Sequence, residues 1–402
     1  MDRIGALPKD IKQKNDAEIL RSIAGQRVFT VQDIANQTKI SRLTITRALE
    51  RFIEKGIVIQ GGKGSSTSLG GKKPQEYSLN DGRYGISIAP SGGETLACLM
   101  SFTGEEIDTV SFMFPAALTY EAFIEKSAES VRILMKRNGI PQEDLYGIIL
   151  CTGGIIDRKS GIFRTSSIPQ WGNDLHAAED LSRMLGLDTR IEIENVSKVC
   201  SSMLRFSSEV QGKRTAVMYA DFGVSITILE DGKTLESTND VNGELGHMCL
   251  DPHDEEACVC GSKGCFEVLI SQKRIWKMVN AMPEKEREVL LKNYDGKGDI
   301  RRYLLEEEKR EDGKAGELCT YMADIIGMAF RNVVLAIDPD LFVIQGVFSY
   351  ASDRFLERIK SVVRENKYLK DIPIDIREES RELSEMLKKG SMNIMLSSIL
   401  EK

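Results

Sequence analysis

Apolar positions near the N-terminus recur at helical spacing in three successive segments. The first segment covers about residues 10–24. The second begins at Thr30, a capping residue, and Asp33 completes a capping box. The third begins at Ser41 and ends before Gly56, and its apolar positions form one stripe: Ile45, Ala48, Leu49, Phe52 and Ile53. The pattern predicts three helices joined by short turns.

The opposite face of the third predicted helix carries side chains suited to the DNA major groove. Arginine pairs with guanine edges, threonine bonds bases or phosphates, and an apolar group contacts a thymine methyl. Two short strand patterns follow, joined by a basic, glycine-rich loop that is typical of a wing. A solvated outer face is the alternative, but three helices with a basic wing favour a helix-turn-helix that binds DNA. The predicted DNA-binding residues are Arg42, Leu43, Thr44, Arg47, Arg51, Lys63, Lys72 and Lys73.

From Tyr84 onward the hydrophobic pattern changes to strands that alternate with helices. Buried strand patterns such as "YGIILCTGGIID" end in glycines, and a helix is predicted at about residues 120–138. A second strand-rich part begins at "TAVMYADFGVSITILEDGKTL". This alternation predicts a mixed α/β fold with two similar halves and a ligand-binding cleft. We predict three domains: residues 1–80, residues 81–198 with 387–402, and residues 199–386.

Composition and charge narrow the class of protein. The 402 residues exceed one ordinary core. Residues 1–80 hold 14 Lys and Arg against 8 Asp and Glu, whereas the remainder holds 40 against 53, so only the N-terminal part is expected to meet a polyanion. We find no signal peptide and no apolar run of the ~18 residues that span a bilayer. These features predict a cytoplasmic protein with reduced cysteines and no membrane partner.

Two motifs in the body match a known family signature. "ELGH" followed by "CVCGSKGCFE" fits the pattern E-x-G-H and C-x-C-G-x-x-G-C-x-E, and "GGIIDRKSGIFRTSSIPQWGNDL" is similar to a sugar-domain segment. On these motifs the chain resembles the ROK family of repressors, open reading frames and sugar kinases, and its basic head resembles the repressor branch. The resemblance implies a two-lobed, actin-like and ribonuclease H-like sugar-kinase fold with an N-terminal winged helix-turn-helix domain. The sugar-binding residues that it implies are Gly154, Ser167, Asn195, Glu244, His247 and Glu267.

Residues 243–267, which include "ELGH" and "CVCGSKGCFE", contain four of the chain's eight cysteines and two of its three histidines. In a reducing compartment such a cluster indicates a metal site sooner than disulfides. One imidazole and three thiolates form a closed tetrahedral set for a structural Zn²⁺, and the family signature strengthens this assignment. The predicted ligands are His247, Cys258, Cys260 and Cys265. Cys249 and His253 are alternative ligands, and reduced cysteines without a metal are the remaining alternative.

The motifs for phosphoryl transfer are altered. In the family's kinases an aspartate in a segment similar to "ENDAN" accepts the proton of the sugar hydroxyl, but "ENVSK" places Val196 there. The phosphate segments "SIAPSGGET" and "DFGVSIT" place Pro90 and Asp221 where glycine backbone approaches phosphates in the family. We therefore expect no catalytic residue, no enzyme activity and no ATP as a cofactor.

These features together predict a DNA-binding transcriptional regulator, most simply a repressor. Its partners are expected to be a double-stranded DNA operator and a sugar or sugar-derivative effector, and its state a homodimer or a dimer of dimers. The alternative is an active ATP-dependent sugar kinase with a regulatory DNA-binding head. A third interpretation is a dimeric DNA-binding protein whose sugar pocket is vestigial.

Overall fold

The computed structural model describes residues 8–24, 26–64, 73–91, 93–115, 117–221, 223–235, 237–310 and 313–398. The chain forms two compact units, residues 1–206 with 384–402 and residues 207–383. The predicted DNA-binding head belongs to the first unit. The division into three domains stays a prediction.

The N-terminal part contains the three predicted helices. The elements are α1 (Pro8–Ile23), β1 (Phe29–Thr30), α2 (Val31–Thr38), α3 (Arg42–Glu54), β2 (Val58–Lys63) and β3 (Gln75–Leu79). Thr30 caps α2 in a complete capping box with Asp33, and Ser41 caps α3 through the backbone N–H of Thr44. The strands pair in the order β1-β3-β2, and β1 was not predicted. Most of the predicted wing loop, Lys72 included, lies outside the described residues.

The rest of the first unit is built on a five-stranded sheet. Its elements are β4 (Tyr84–Ser91), β5 (Glu94–Ser101), β6 (Glu106–Met113), α4 (Tyr120–Asn138), β7 (Leu145–Thr152), β8 (Gly154–Asp157), β9 (Ile162–Ser166), β10 (Asn173–Leu175), α5 (Ala177–Leu185), β11 (Arg190–Asn195) and α6 (Val196–Ser202). The sheet order is β11-β7-β4-β5-β6, in which β7 lies parallel to β4 and to β11. Strands β8 to β10 form a separate small sheet that the sequence pattern did not predict.

The second unit repeats the same topology. Its elements are β12 (Arg214–Ala220), β13 (Val224–Glu230), β14 (Lys233–Thr234), α7 (Phe266–Leu269), α8 (Gln272–Asn280), α9 (Glu284–Leu290), α10 (Ile300–Glu308), α11 (Lys314–Ile337), β15 (Leu341–Gly346), α12 (Asp353–Arg364) and β16 (Ile376–Glu379). The chain then returns to the first unit through α13 (Leu383–Ser398). The order β14-β13-β12-β15-β16 matches the first sheet strand for strand, which confirms the predicted two similar halves.

Helix α11 corrects one expectation from the sequence. It is the one helix in the described part of the chain whose length and apolar composition would suffice to cross a membrane, although no such run was predicted. In the structure 61% of its most apolar window is buried. Phe330 of α11 stacks on Phe342 of β15, with ring centroids 4.1 Å apart. The apolar composition of α11 therefore reflects its position in the core of the second unit.

Candidate functional site

Four predicted metal ligands converge in the second unit. The ligand atoms of His247, Cys258, Cys260 and Cys265 all lie within 4.8 Å of one another, and Cys249 and His253 lie outside this group. The Sγ atoms of Cys260 and Cys265 are 3.6 Å apart, close to the ~3.8 Å between two thiolates that bind one tetrahedral Zn²⁺. Burial raises the pKa of the Cys258 and Cys265 thiols, so a bound cation is needed to hold them as thiolates at neutral pH. The residues present therefore fit a metal ion.

His247 connects the metal cluster to a predicted sugar-binding residue. Its Nδ1 lies 3.3 Å from Sγ of Cys258, and its Nε2 lies 3.7 Å from Oε2 of Glu244. Glu244 and His247 are the first and last residues of a single 3-10 turn, at positions i and i+3. The ring therefore directs one nitrogen toward the thiols and the other toward a carboxylate, which is how ligating histidines are commonly oriented.

An ion-pair network holds the loop that carries the first of these cysteines. Arg274, in the first turn of α8, donates to both carboxylate oxygens of Asp254 at 2.8 and 2.6 Å. The same guanidinium lies 3.2 Å from Glu256, and Lys273 lies 2.7 Å from that carboxylate. These contacts fix the chain two residues before Cys258. No sequence pattern predicts this network, because charged residues in a loop have many solvated alternatives.

Three predicted sugar-binding residues come together in the first unit. The Asn195 amide donates to the backbone carbonyl of Gly154 at 2.9 Å. Gly154 has φ +111°, and a Cβ there would lie 2.1 Å from the carbonyl oxygen of Thr165, so only glycine fits. Ser167 is exposed, and its backbone N–H donates to the carbonyl of Gly153 at 3.3 Å. The small sheet β8–β10 thus places these residues beside the end of β11.

Asn195 also determines where α6 begins. Its Oδ1 accepts from the backbone N–H of Ser197 at 3.0 Å and from the Ser197 hydroxyl at 2.8 Å. Because one amide N–H is bound to Gly154, the second amide N–H is what Asn195 can offer a ligand. Val196, which the resemblance predicts to replace the family's aspartate, is the first residue of α6 and is half-buried.

Three charged residues that the sequence analysis does not assign to the site surround the start of α6. Glu194 is buried, and Arg158 Nε lies 2.9 Å from its Oε2. Burial raises the pKa of Glu194, whereas the positive charges of Arg158 and Lys198 oppose that shift. Lys198 is itself buried, with 8% of its surface exposed. No pattern in the stretch "ENVSK" predicts that Lys198 is interior, and only the fold shows it.

The three other predicted sugar-binding residues lie in the second unit, around the turn that contains Glu244 and His247. The carboxylate of Glu267 accepts from the backbone N–H of Val224 at 2.8 Å. Gly246 packs so closely on β13 that a Cβ would lie 1.8 Å from the carbonyl oxygen of Val224. Val224 lies within the segment "DFGVSIT", so the structure places the turn, Glu267 and that segment side by side.

The two predicted phosphate segments, "SIAPSGGET" and "DFGVSIT", form hydrogen bonds with other parts of the protein. The hydroxyl of Ser87, in β4, hydrogen bonds that of Ser391, in α13, at 2.8 Å. Asp221 is half-buried, and desolvation raises the pKa of its carboxyl, although the charge of Arg301 opposes the shift. Arg301 is 2% exposed, and its guanidinium donates to the backbone carbonyl of Asp221 at 2.7 Å. The Arg301 guanidinium also lies 5.7 Å from the ring centroid of Phe348.

The predicted DNA-binding residues differ in their surroundings. Arg42, Leu43 and Arg47 are exposed on α3, and Leu43 has 63% of its surface accessible. Lys63 and Lys73 are exposed at the described ends of the predicted wing loop, and Thr44 is half-buried beside the Ser41 cap. Arg51, in contrast, forms an ion pair with Asp16 of α1, an aspartate with 9% of its surface exposed. Arg42 in addition hydrogen bonds Gln32 of α2.

Comparisons with known proteins agree with this description. A model of the ROK family matches residues 86–382. The chain is similar to a putative xylose repressor from Caldicellulosiruptor sp. (strain Rt8B.4), with 24% identity over 365 residues that cover 89% of each chain. It is also similar to a glucokinase from Halalkalibacterium halodurans, with 25% identity over 221 residues that cover 54% of this chain and 66% of that enzyme.

The fold is also found among solved structures. The crystal structure of a ROK family transcriptional regulator, a homologue of the E. coli MLC protein, superimposes with a TM-score of 0.76 and 17% sequence identity. The match covers 97% of this chain and 98% of that protein. Because it includes nearly the whole chain, the head as well as the two repeated sheets has a counterpart in that structure.

Proposed function

Since the chain belongs to the ROK family, we propose that it is a DNA-binding transcriptional regulator, and specifically a repressor. The observation that carries the proposal is the exposed basic face of α3, which bears Arg42, Leu43 and Arg47 beside a strand pair with lysines at its tip. Such a face fits the major groove, and the lysines fit phosphates. Relatives named xylose repressors, two of which align over 89% of this chain, support this function.

We propose that the protein acts as a homodimer or a dimer of dimers in the cytoplasm. A dimer places two recognition helices one DNA turn or a multiple apart, so the operator is expected to be a pseudo-palindrome. Reduced thiols, which the metal site needs, persist in that compartment.

The effector is proposed to be a sugar or sugar derivative. In the first unit, Asn195 donates one amide N–H to Gly154 and has a second to offer a hydroxyl group. In the second unit, Glu244, His247 and Glu267 supply acceptors and a ring nitrogen that suit hydroxyl groups. The names of the relatives provide probes: D-xylose, D-glucose and N-acetyl-D-glucosamine. A sugar present at 100 times its Kd raises the free energy of unfolding by ~2.7 kcal/mol, which a thermal shift detects.

We propose further that the metal is a structural Zn²⁺ held by His247, Cys258, Cys260 and Cys265. The S₃N donor set is closed, so the ion supplies no open position for water. Its function is to fix His247 and, through the 3-10 turn, the predicted sugar-binding residue Glu244.

Phosphoryl transfer is proposed to be lost. Val196 cannot accept a proton, and a positioned base typically contributes 10²–10⁴-fold to such a reaction. The half-buried Asp221 stands where the resemblance expects glycine backbone to approach phosphates, and the Arg301 guanidinium donates to its backbone carbonyl. Because two relatives are named as kinases, the loss of phosphoryl transfer requires a direct assay.

Two assays test the proposed function. The purified protein is used to select duplexes from a randomised DNA pool, and it is incubated with ATP and each of the three sugars. We expect enrichment of a two-fold symmetric sequence and no sugar phosphate above a heat-denatured control. Turnover of any sugar would favour the kinase alternative, and failure to enrich any sequence would contradict the DNA-binding proposal.

A further inference from the structure

The DNA-binding head shares one hydrophobic core with the first sheet and the C-terminal helix. The core residues of α1 to α3 pack in one cluster with Met100 and Phe102 from the end of β5, and with Met392 and Leu396 of α13. Each of these four residues is at most 3% exposed. Phe102 also contacts Tyr146 of β7 edge to face, with ring centroids 5.1 Å apart. Close-packed interiors transmit displacements. A shift of α13 would therefore displace Met392 and Leu396, on which the core residues of the head pack.

The adjacent face of α13 contacts α6, the helix capped by Asn195, a predicted sugar-binding residue. The Asn393 amide donates to the backbone carbonyls of Ser202 and Met203, at 3.0 and 3.1 Å. These carbonyls belong to the C-terminal end of α6, where helices leave such groups without partners. Gly390 lies one turn earlier, and a Cβ there would be only 1.9 Å from the carbonyl oxygen of Val199. The two helices are therefore in backbone contact.

Helical spacing places two sets of α13 residues against two different partners, α6 and the head. Gly390 and Asn393 are three residues apart and meet α6, whereas Met392 and Leu396 are four apart and meet the head. Asn393 is 7% exposed and interior to the first unit. Because this side chain is buried, an apolar residue there would leave the two α6 carbonyls without the donors that the Asn393 amide supplies.

We propose that Asn393 is a positioning residue that couples the conformation of α6 to that of the DNA-binding head. The inference rests on the proposed function, because it assigns a route between the candidate effector site and the DNA-binding surface. Asn195 caps the first turn of α6, and Asn393 binds its last turn. A ligand that displaces the start of α6 thus moves α13 and the core under the head, and DNA bound to the head acts on α6 in return.

Reciprocity allows a test that needs no identified effector. The full-length protein is mixed with the DNA that it selects from the randomised pool, and amide hydrogen exchange is followed in the peptide covering residues 194–204. In the unmodified protein, DNA should slow exchange in this peptide about fivefold or more. Asn393→Leu keeps the branched shape and the number of side-chain heavy atoms but removes the donors, so it should bind the same DNA without that response. Ser397→Ala is the matched control, because its hydroxyl bonds only the Asn393 carbonyl within α13.

The outcomes separate the coupling from the function. If the protein selects no DNA, the proposed function and this inference both fall. If DNA binds but exchange in residues 194–204 does not change, or if it changes equally in Asn393→Leu, the inference alone is overturned. Should Asn393→Leu not fold, as judged by its thermal midpoint, Asn393→Ala takes its place with the same expected result. A purely structural role for Asn393 would lower stability and leave the response to DNA intact.

Discussion

Arg47 and Arg51 lie one turn apart on α3, and the structure predicts opposite consequences for their removal. Arg47 is exposed, and its backbone carbonyl accepts from the guanidinium of Arg51. Arg51 forms an ion pair with Asp16 of α1, and the two side chains are 30% and 12% exposed. Arg47→Ala should therefore weaken DNA binding without loosening the head, whereas Arg51→Ala should loosen the contact between α1 and α3.

The magnitudes follow from these surroundings. If Arg47 binds a guanine, its loss costs ~1–3 kcal/mol, or about 5- to 150-fold in affinity, at one operator position. Removal of Arg51 leaves the Asp16 carboxylate largely buried without its cation. Such a group costs ~1–3 kcal/mol, which we reduce to ~1–2 kcal/mol because the pair is partly exposed.

Two measurements distinguish the variants. Fluorescence anisotropy with a labelled operator gives the affinity, and amide hydrogen exchange in α1 and α3 gives the local stability. Arg51→Ala should exchange about 5- to 30-fold faster in these helices, which corresponds to ~1–2 kcal/mol, and Arg47→Ala should exchange at the unmodified rate. The reasoning is refuted if Arg47→Ala binds every operator variant as the unmodified protein does. It is equally refuted if Arg51→Ala leaves exchange in α1 unchanged.

Two further predictions concern the second unit. Cys260→Ser should lose the bound zinc, whereas Cys249→Ser, outside the convergent group, should keep near one ion per chain when both are analysed by mass spectrometry; equal zinc contents would contradict the ligand assignment. Gly246→Ala should lower the free energy of unfolding by ~1–3 kcal/mol in urea titrations, because its Cβ would lie 1.8 Å from the Val224 carbonyl oxygen. Gly313→Ala, where a Cβ meets nothing within 4 Å, is the control, and an equal effect in both variants would remove the steric explanation.

The sequence by itself determined those features whose signals lie within a few residues of one another. The helices of the head were predicted from apolar spacing and from the caps at Thr30 and Ser41, because a cap acts on the N–H groups of the adjacent turn. The metal ligands were predicted because three of the four lie within one short loop and match a signature. The repeated order of strands and helices likewise gave the two similar halves.

Only the tertiary structure decided the features that depend on partners distant in the chain. Arg51 has the residue type and the helix position of a DNA-binding arginine, but Asp16, 35 residues away, holds its guanidinium. Asn393 lies 191 and 190 residues from the two carbonyls that it binds, and no local pattern could pair them. Lys198 is buried beside Glu194 although its neighbours in sequence are ordinary. Hydrogen bonds and ion pairs act over a few ångströms in space, so their partners are set when the chain folds, and periodicity along the sequence does not record them.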